Sequence, residues 1–263
     1  MLKLKNKKII LLSGVTSDIG KKTITKLLSN DENYIIGIAR KKTISNINLT
    51  KRYNNLTIQY LDLLNENSLK KLTIFLKKKF IKIDILINLA GGCNSMKKSF
   101  DCNKEDFIKQ FEKNFLTNYN LTKSVFNLLK KSKEKKIINI SSTVSIKPGY
   151  MNPHYSASKA ALDNFTKYLS NNYSKYGFKI NTLTVGVLKN SKMKSALKRI
   201  IDENDLRINT VSELINFEKN KIPLKKFGSS EDIANIIYFL SDNENQWIAG
   251  SNFIIDGGKL NIN

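Results

Sequence analysis

The run Tyr155-Ser156-Ala157-Ser158-Lys159 carries the sharpest chemical signal in the sequence. On a helix, a tyrosine and a lysine four positions apart share one face, so the ammonium can sit near the phenol and favour its ionised form. A free phenol titrates near ~10. A neighbouring positive charge is what would let Tyr155 give or take a proton near neutral pH. Upstream, Ser142 closes Ile140-Ser141-Ser142 at the end of a strand-like run. Carboxyl ends of strands are where α/β folds bind ligands, and a hydroxyl there could hold a carbonyl oxygen. His154, the single histidine, is adjacent to Tyr155. A neighbouring helical residue points about 100° away, so a surface or substrate-edge place is expected for it rather than proton transfer.

A second kind of site precedes it. Ser13-Gly14-Val15-Thr16-Ser17-Asp18-Ile19-Gly20 follows the apolar run Ile9-Ile10-Leu11-Leu12 and opens a helical pattern. Glycines permit a tight turn and close backbone approach, and a helix N-terminus offers N–H groups and a positive dipole end to a pyrophosphate. Asp18 is expected to turn its carboxylate onto those N–H groups as a cap. The next strand-like run ends Ile38-Ala39-Arg40-Lys41-Lys42. A carboxylate at this strand end suits the ribose 2′-hydroxyl of NAD, whereas a nearby Arg suits the 2′-phosphate of NADP, so Arg40 predicts NADP(H) over NAD(H).

These residues need a scaffold that delivers strand ends to one edge. Seven strands are expected, at Lys8–Leu12, Tyr34–Ala39, Leu56–Leu61, Ile83–Asn88, Lys136–Ile140, Lys179–Val185 and Asn252–Ile255. Several are continuous apolar runs, as buried parallel strands require. Between them, Ile24-Leu27-Leu28 and Ile233-Ile236-Ile237-Leu240 mark apolar faces at helical spacing. Alternating strand and helix predicts one α/β domain over residues 1–263, a doubly wound Rossmann-type fold with a seven-stranded parallel sheet and helices on both faces. Pro153 fits the first turn of the helix carrying Tyr155. Residues 188–224 are expected to form a mobile substrate-binding lid.

Taken together, these motifs resemble the short-chain dehydrogenase/reductase family, and the order resembles members such as the bacterial 3-oxoacyl-acyl-carrier-protein reductases. Ser13 to Gly20 is similar to that family's Thr-Gly-x-x-x-Gly-x-Gly loop, with Asp18 in place of the middle Gly. Asp62-Leu63 resembles its adenine-contacting pair, and Asn88-Leu89-Ala90-Gly91 its Asn-Asn-Ala-Gly signature. Val185-Gly186 stands where the family has Pro-Gly. The resemblance implies cofactor contacts from Gly14, Thr16, Ser17, Ile19, Arg40, Asp62, Leu63, Asn88, Ala90, Gly91, Tyr155, Lys159 and Leu188. It implies a catalytic set of Asn114, Ser142, Tyr155 and Lys159: Tyr155 as acid or base, Ser142 orienting the oxygen, Lys159 on the nicotinamide ribose, and Asn114 supporting a water next to Lys159. The partner implied is a small carbonyl or alcohol substrate, and the assembly implied is a homotetramer. The other reading is a cofactor-binding sensor or scaffold with little turnover, suggested by Asp18 and Val185. The intact Ser142, Tyr155 and Lys159 count against it.

The formal charge is +23, from 45 Lys plus Arg against 22 Asp plus Glu. The lysines are spread along the chain without an aromatic-basic stripe, so nucleic-acid binding is not expected. The 41% hydrophobic content supports a globular core. No apolar run is long enough to cross a membrane, and the N-terminus lacks the core of a secretion signal, which points to the cytoplasm. Cys93 and Cys102 make no disulfide framework and match no zinc spacing, so no metal is expected. Both are expected reduced, with Cys93 a buried bystander.

Overall fold

The protein is described by a computed structural model covering residues 6–41, 44–93, 97–149, 151–189 and 210–261, with Met193, Lys198 and Ile201. Its seven strands are β1 (Lys8–Ser13), β2 (Asn33–Ala39), β3 (Leu56–Tyr60), β4 (Ile85–Asn88), β5 (Lys136–Ser142), β6 (Lys179–Val185) and β7 (Asn252–Ile255). They form one sheet in the order β3-β2-β1-β4-β5-β6-β7, and every pairing is parallel. The order reverses between β1 and β4, so the loops leaving these two strands diverge and open a crevice at the carboxyl edge. The expected strands all form, with ends moved by one or two residues. β5 runs on through Ser142, and β4 begins at Ile85.

Eight α-helices surround the sheet among the described residues: α1 (Asp18–Leu27), α2 (Ile44–Arg52), α3 (Glu66–Lys79), α4 (Lys104–Phe111), α5 (Thr117–Lys130), α6 (Pro153–Tyr173), α7 (Val211–Asn220) and α8 (Ser230–Ser241). A π-helical turn, Glu112–Leu116, joins α4 to α5. Alternate residues of β1 serve opposite faces, following the period of two along a strand. Ile10 and Leu12 pack with Ile24 and Leu27 of α1 and Ile233 and Ile237 of α8. Ile9 and Leu11 pack with Leu72 and Leu76 of α3, Leu121 and Val125 of α5, and Leu169 of α6. The sheet is thus covered on both sides.

Polar side chains tie the second layer to the sheet. Asn139 on β5 accepts from Asn88 Nδ2 at 2.7 Å and donates to Thr166 Oγ1 of α6 at 2.8 Å. Asn88 Nδ2 also donates to Thr122 Oγ1 of α5 at 3.0 Å. The four residues are buried. Removing one leaves the others with lost partners in a low-dielectric core.

Of the expected lid, Leu188 bridges to Gly228 and α7 occupies its second half. Most of residues 190–209 lie outside the described residues.

Candidate active site

Each element delivers its site residue at the carboxyl edge of the sheet. β1 ends at Ser13, whose hydroxyl accepts from the backbone N–H of Leu89 at 3.2 Å and Ala90 at 3.1 Å. This ties the first loop to the turn after β4. Gly14 has φ +77°, and a Cβ there would stand 2.9 Å from Ala90 N. A side chain is therefore excluded both by conformation and by the close approach of the two loops. Ser17 caps α1, accepting from Gly20 N at 3.0 Å. The cap expected of Asp18 thus belongs to Ser17, because Asp18 is already the first helical residue. Its carboxylate stands in the first turn of α1, where the dipole favours it.

A cleft of about 640 Å³ opens between the loops, a size that accommodates a dinucleotide. It is lined by Gly14, Thr16, Ser17 and Ile19 from the first loop, Ala39 and Arg40 after β2, Asp62 and Leu63 after β3, and Ala90 and Gly91 after β4. Leu188 lines it as well, whereas Tyr155 and Lys159, also expected to meet the cofactor, are not among its lining residues. Asn88 is fully buried behind it, in the polar network. Sequence reasoning missed Lys109, Glu112, Lys113 and Thr117, which line the cleft from α4, the π turn and the start of α5. Their spacing of three and four along a helix was the available signal.

Tyr155 and Lys159 lie on α6, whose first residue is Pro153. Asn152 enters the helix with φ +61°, held by backbone and side-chain bonds to Lys97 at 2.8 and 3.1 Å. Tyr155 is hydrogen-bonded to the Ser142 hydroxyl, the residue at the end of β5. Burial outweighs that bond and pushes the phenol up to about 12. Lys159 is 4% exposed and donates to the Ile140 carbonyl at 2.7 Å. Burial first, with Lys113 adding repulsion against the help of Asp163, brings it down to about 8. The expectation that Lys159 lowers Tyr155 is thus reversed in the protein alone, since loss of water dominates both groups.

Asn114, fully buried, lies in the π turn, a distortion that recurs at functional sites. Its Oδ1 accepts from Gly92 N at 2.7 Å, and its Nδ2 donates to Ser158 Oγ at 3.0 Å and Gln110 O at 3.1 Å. A Cβ on Gly91 would meet Asn114 Oδ1 at 2.7 Å and Lys159 Nζ at 3.4 Å. Asn114, Gly91 and Lys159 therefore meet at one point. Two thiol and imidazole expectations change. Cys93 is exposed and lines the cleft, close enough for its charge to act on Tyr155. His154 is 1% exposed, 3.4 Å from Cys102 Sγ and edge-on to Phe107. Neither cysteine is in a disulfide.

The arrangement joins a glycine turn at the start of α1, a cleft of about 640 Å³, and Tyr155 one helical turn from the buried Lys159. A family model described as enoyl-(acyl carrier protein) reductase matches residues 14–259. The 3-oxoacyl-(acyl-carrier-protein) reductase of Buchnera aphidicola is 30% identical over 254 residues, covering 96% of this chain and 97% of the relative. An NAD-dependent glycerol dehydrogenase of Listeria innocua is 26% identical over 251 residues, covering 95% of this chain and 93% of its own. Among solved structures, ElxO with NADP bound superposes with a TM-score of 0.83 at 25% identity, covering 97% of this chain and all of the other.

Proposed function

We propose that this chain, which belongs to the short-chain dehydrogenase/reductase family and is an NAD(P)-dependent oxidoreductase, acts as an NADPH-preferring reductase of a small carbonyl compound or, in reverse, as an alcohol dehydrogenase. The observation that carries this reading is the Tyr155–Ser142 hydrogen bond, one helical turn from the buried Lys159. When bound, the dinucleotide supplies the hydride. Ser142 donates to the substrate oxygen and orients it. Tyr155, protonated across the physiological range by its burial, transfers its phenolic proton to that oxygen as negative charge develops there. Lys159 places positive charge beside the phenol. Asn114 holds Gly92 and Ser158, and so fixes the spacing of the turn and α6.

Preference for NADPH rests on Arg40. It is exposed in the cleft beside Ala39, with no carboxylate at the end of β2. The relatives point both ways, since one is NAD-dependent and one fold neighbour holds NADP. The same reading includes a cytoplasmic homotetramer. It is supported by two cysteines outside any disulfide and by exposed apolar side chains at the β7 edge. No helix among the described residues is long and apolar enough to cross a membrane.

The test is thermal stabilisation by NADPH and by NADH at matched ionic strength. At 100 times its dissociation constant a ligand adds about 2.7 kcal/mol. A shift with NADPH that exceeds the shift with NADH, and that Arg40→Ala reduces, is the expected result. Equal shifts, unmoved by Arg40→Ala, would remove the preference. No shift with either nucleotide would remove the cofactor reading.

A further inference from the structure

We infer that Asp163 is a positioning residue for the reductase chemistry: from the inner face of α6 its carboxylate anchors the turn that carries Ser142 and supports the charge of the Lys159 ammonium. This rests on the proposed reductase reading and deepens it, because the motif residues Asn114, Ser142, Tyr155 and Lys159 leave Asp163 without a role.

Alternate residues of β5 face α6 and meet it at every third position along the helix, as the two periods allow. Ile137 shares a hydrophobic cluster with Leu169. Asn139 Nδ2 donates to Thr166 Oγ1 at 2.8 Å. Ser141 in turn faces Asp163, whose charged form its hydroxyl favours. Asp163 is therefore the last rung of this seam, and Ser142 is the next residue of β5. Beyond Ser142 the chain turns through Thr143–Ser145, which packs on α6. Ser145 Oγ donates to Ser142 O at 2.7 Å, and Ser141 Oγ to Ser145 Oγ at 3.4 Å. Ser145 also favours the charged form of Asp163. Asp163 Oδ1 is buried with no hydrogen bond of ordinary geometry, so the serines act on the carboxylate through longer contacts and keep their short ones for the turn. A group that attracts the hydroxyls on both sides of Ser142 holds Ser142 between them.

Along α6 the spacing is equally direct. Tyr155 lies four residues before Lys159 and Asp163 four residues after it, so the three share one face. Lys159 also donates to Ile140 O at 2.7 Å, which ties the same helix to the same strand. A carboxylate taken partly out of water is unfavourable unless other groups compensate it. The groups that do so are the Ser141 and Ser145 hydroxyls and the ammonium groups of Lys159 and Lys167. On Lys159 the charges oppose each other: Asp163 favours the ammonium and Lys113, from the π turn, disfavours it. Without Asp163, burial would discharge Lys159 at lower pH, and the positive charge near Tyr155 would go with it.

The experiment compares the wild type, Asp163→Asn and Asp163→Glu by two readouts. One is the titration midpoint of Lys159 in the unliganded protein, followed by carbon NMR of labelled lysines and assigned by its loss in Lys159→Met. The other is the pH profile of turnover with NADPH and ethyl acetoacetate, a simple 3-oxo ester. Asp163→Asn keeps the shape and removes the charge. The Lys159 midpoint should fall by about one unit, the descending limb of kcat/KM should move down with it, and kcat below that limb should drop about tenfold as Ser142 loses its anchor. Asp163→Glu retains the charge and should keep the midpoint near the wild-type value. A midpoint unmoved in Asp163→Asn would overturn the inference, and so would one that falls equally in Asp163→Glu. Wild-type kcat in Asp163→Asn would overturn the anchoring of Ser142. A lower melting temperature with midpoint and limb in place would make Asp163 a structural residue only. Should Asp163→Asn not fold, Asp163→Ser, which is smaller and also neutral, carries the same expectation. The reductase reading is tested separately: absence of turnover by the wild type counts against that reading, while the midpoint is still read without turnover.

Discussion

Burial moves the two ionisable groups of the site in opposite directions, raising Tyr155 to about 12 and lowering Lys159 to about 8. Tyr155 therefore remains an acid from pH 6 to 10, and the group that titrates within reach of assay is Lys159. Deprotonation of Lys159 removes the positive charge beside the phenol, so kcat/KM for carbonyl reduction should fall as pH rises through about 8. The profile reports the free enzyme. Lys113 is one cause of the depressed value. Removing a like charge raises the proton affinity of its neighbour, so Lys113→Met should move the descending limb to higher pH. A limb that stays in place would exclude the coupling. Tyr155→Phe keeps the ring and loses the proton, and turnover should drop by about 10²–10⁴-fold with an unchanged melting temperature. Normal turnover in that variant would sink the acid role. At this scale much was legible, because Tyr155, Lys159 and Ser142 announce themselves by residue type and spacing. What spacing does not reveal is water loss. That is why the phenol reads as activated in the sequence and as a guarded acid in the fold, and why Cys93 was expected buried yet lines the cleft.

Elements hold these groups in place through interior polar contacts that no local pattern announces. Asn139 sits in the middle of β5, a position that the apolar run Ile137, Ile138, Ile140 would assign to the core. It instead bridges β4 to α6 through Asn88 and Thr166. Asn139→Leu should cost about 1–3 kcal/mol for the partners left unpaired, read as a lower denaturant midpoint. A midpoint unchanged within error would mean that the network relaxes around the substitution. The helix starts divide in the same way. Pro153 at the first residue of α6 was legible from proline's fixed φ. At α1 both Ser17 and Asp18 are good caps, and only the backbone path decides for Ser17, which stays extended at ψ 160° while Asp18 turns helical. The π turn around Asn114 was not legible either, since an extra residue in one turn changes no hydrophobic period. Its consequence is spatial: it brings Asn114 Oδ1 to Gly92 N and Lys113 to the cleft wall.

For the whole molecule, the strand-helix alternation fixed the sheet count and the two-sided cover, while the exact strand ends carried too little pattern. The surface poses the remaining question. With +23 formal charges, copies of the chain repel each other, and assembly must bury enough apolar surface to overcome it. Candidates are present at the last sheet edge, where Trp247 is 99% exposed just ahead of β7 and Ile254 is exposed on it, and on α4, where Phe107, Ile108 and Phe111 are exposed. A strand left at a sheet edge also invites pairing or cover. The proposed tetramer then has a particular salt response. Screening shortens to about 10 Å at 0.1 M salt and about 30 Å at 0.01 M, so added salt weakens repulsion between copies and leaves apolar burial intact. Light scattering should show the assembled fraction rising from 0.01 to 0.15 M salt, the reverse of an assembly held by ion pairs. Trp247→Ala should lower that fraction at every salt concentration, with each chain still folded. A chain that scatters as a monomer throughout would remove the tetramer, and a tetramer that dissociates as salt is added would mean that charge complementarity, not the apolar edge, holds the copies together.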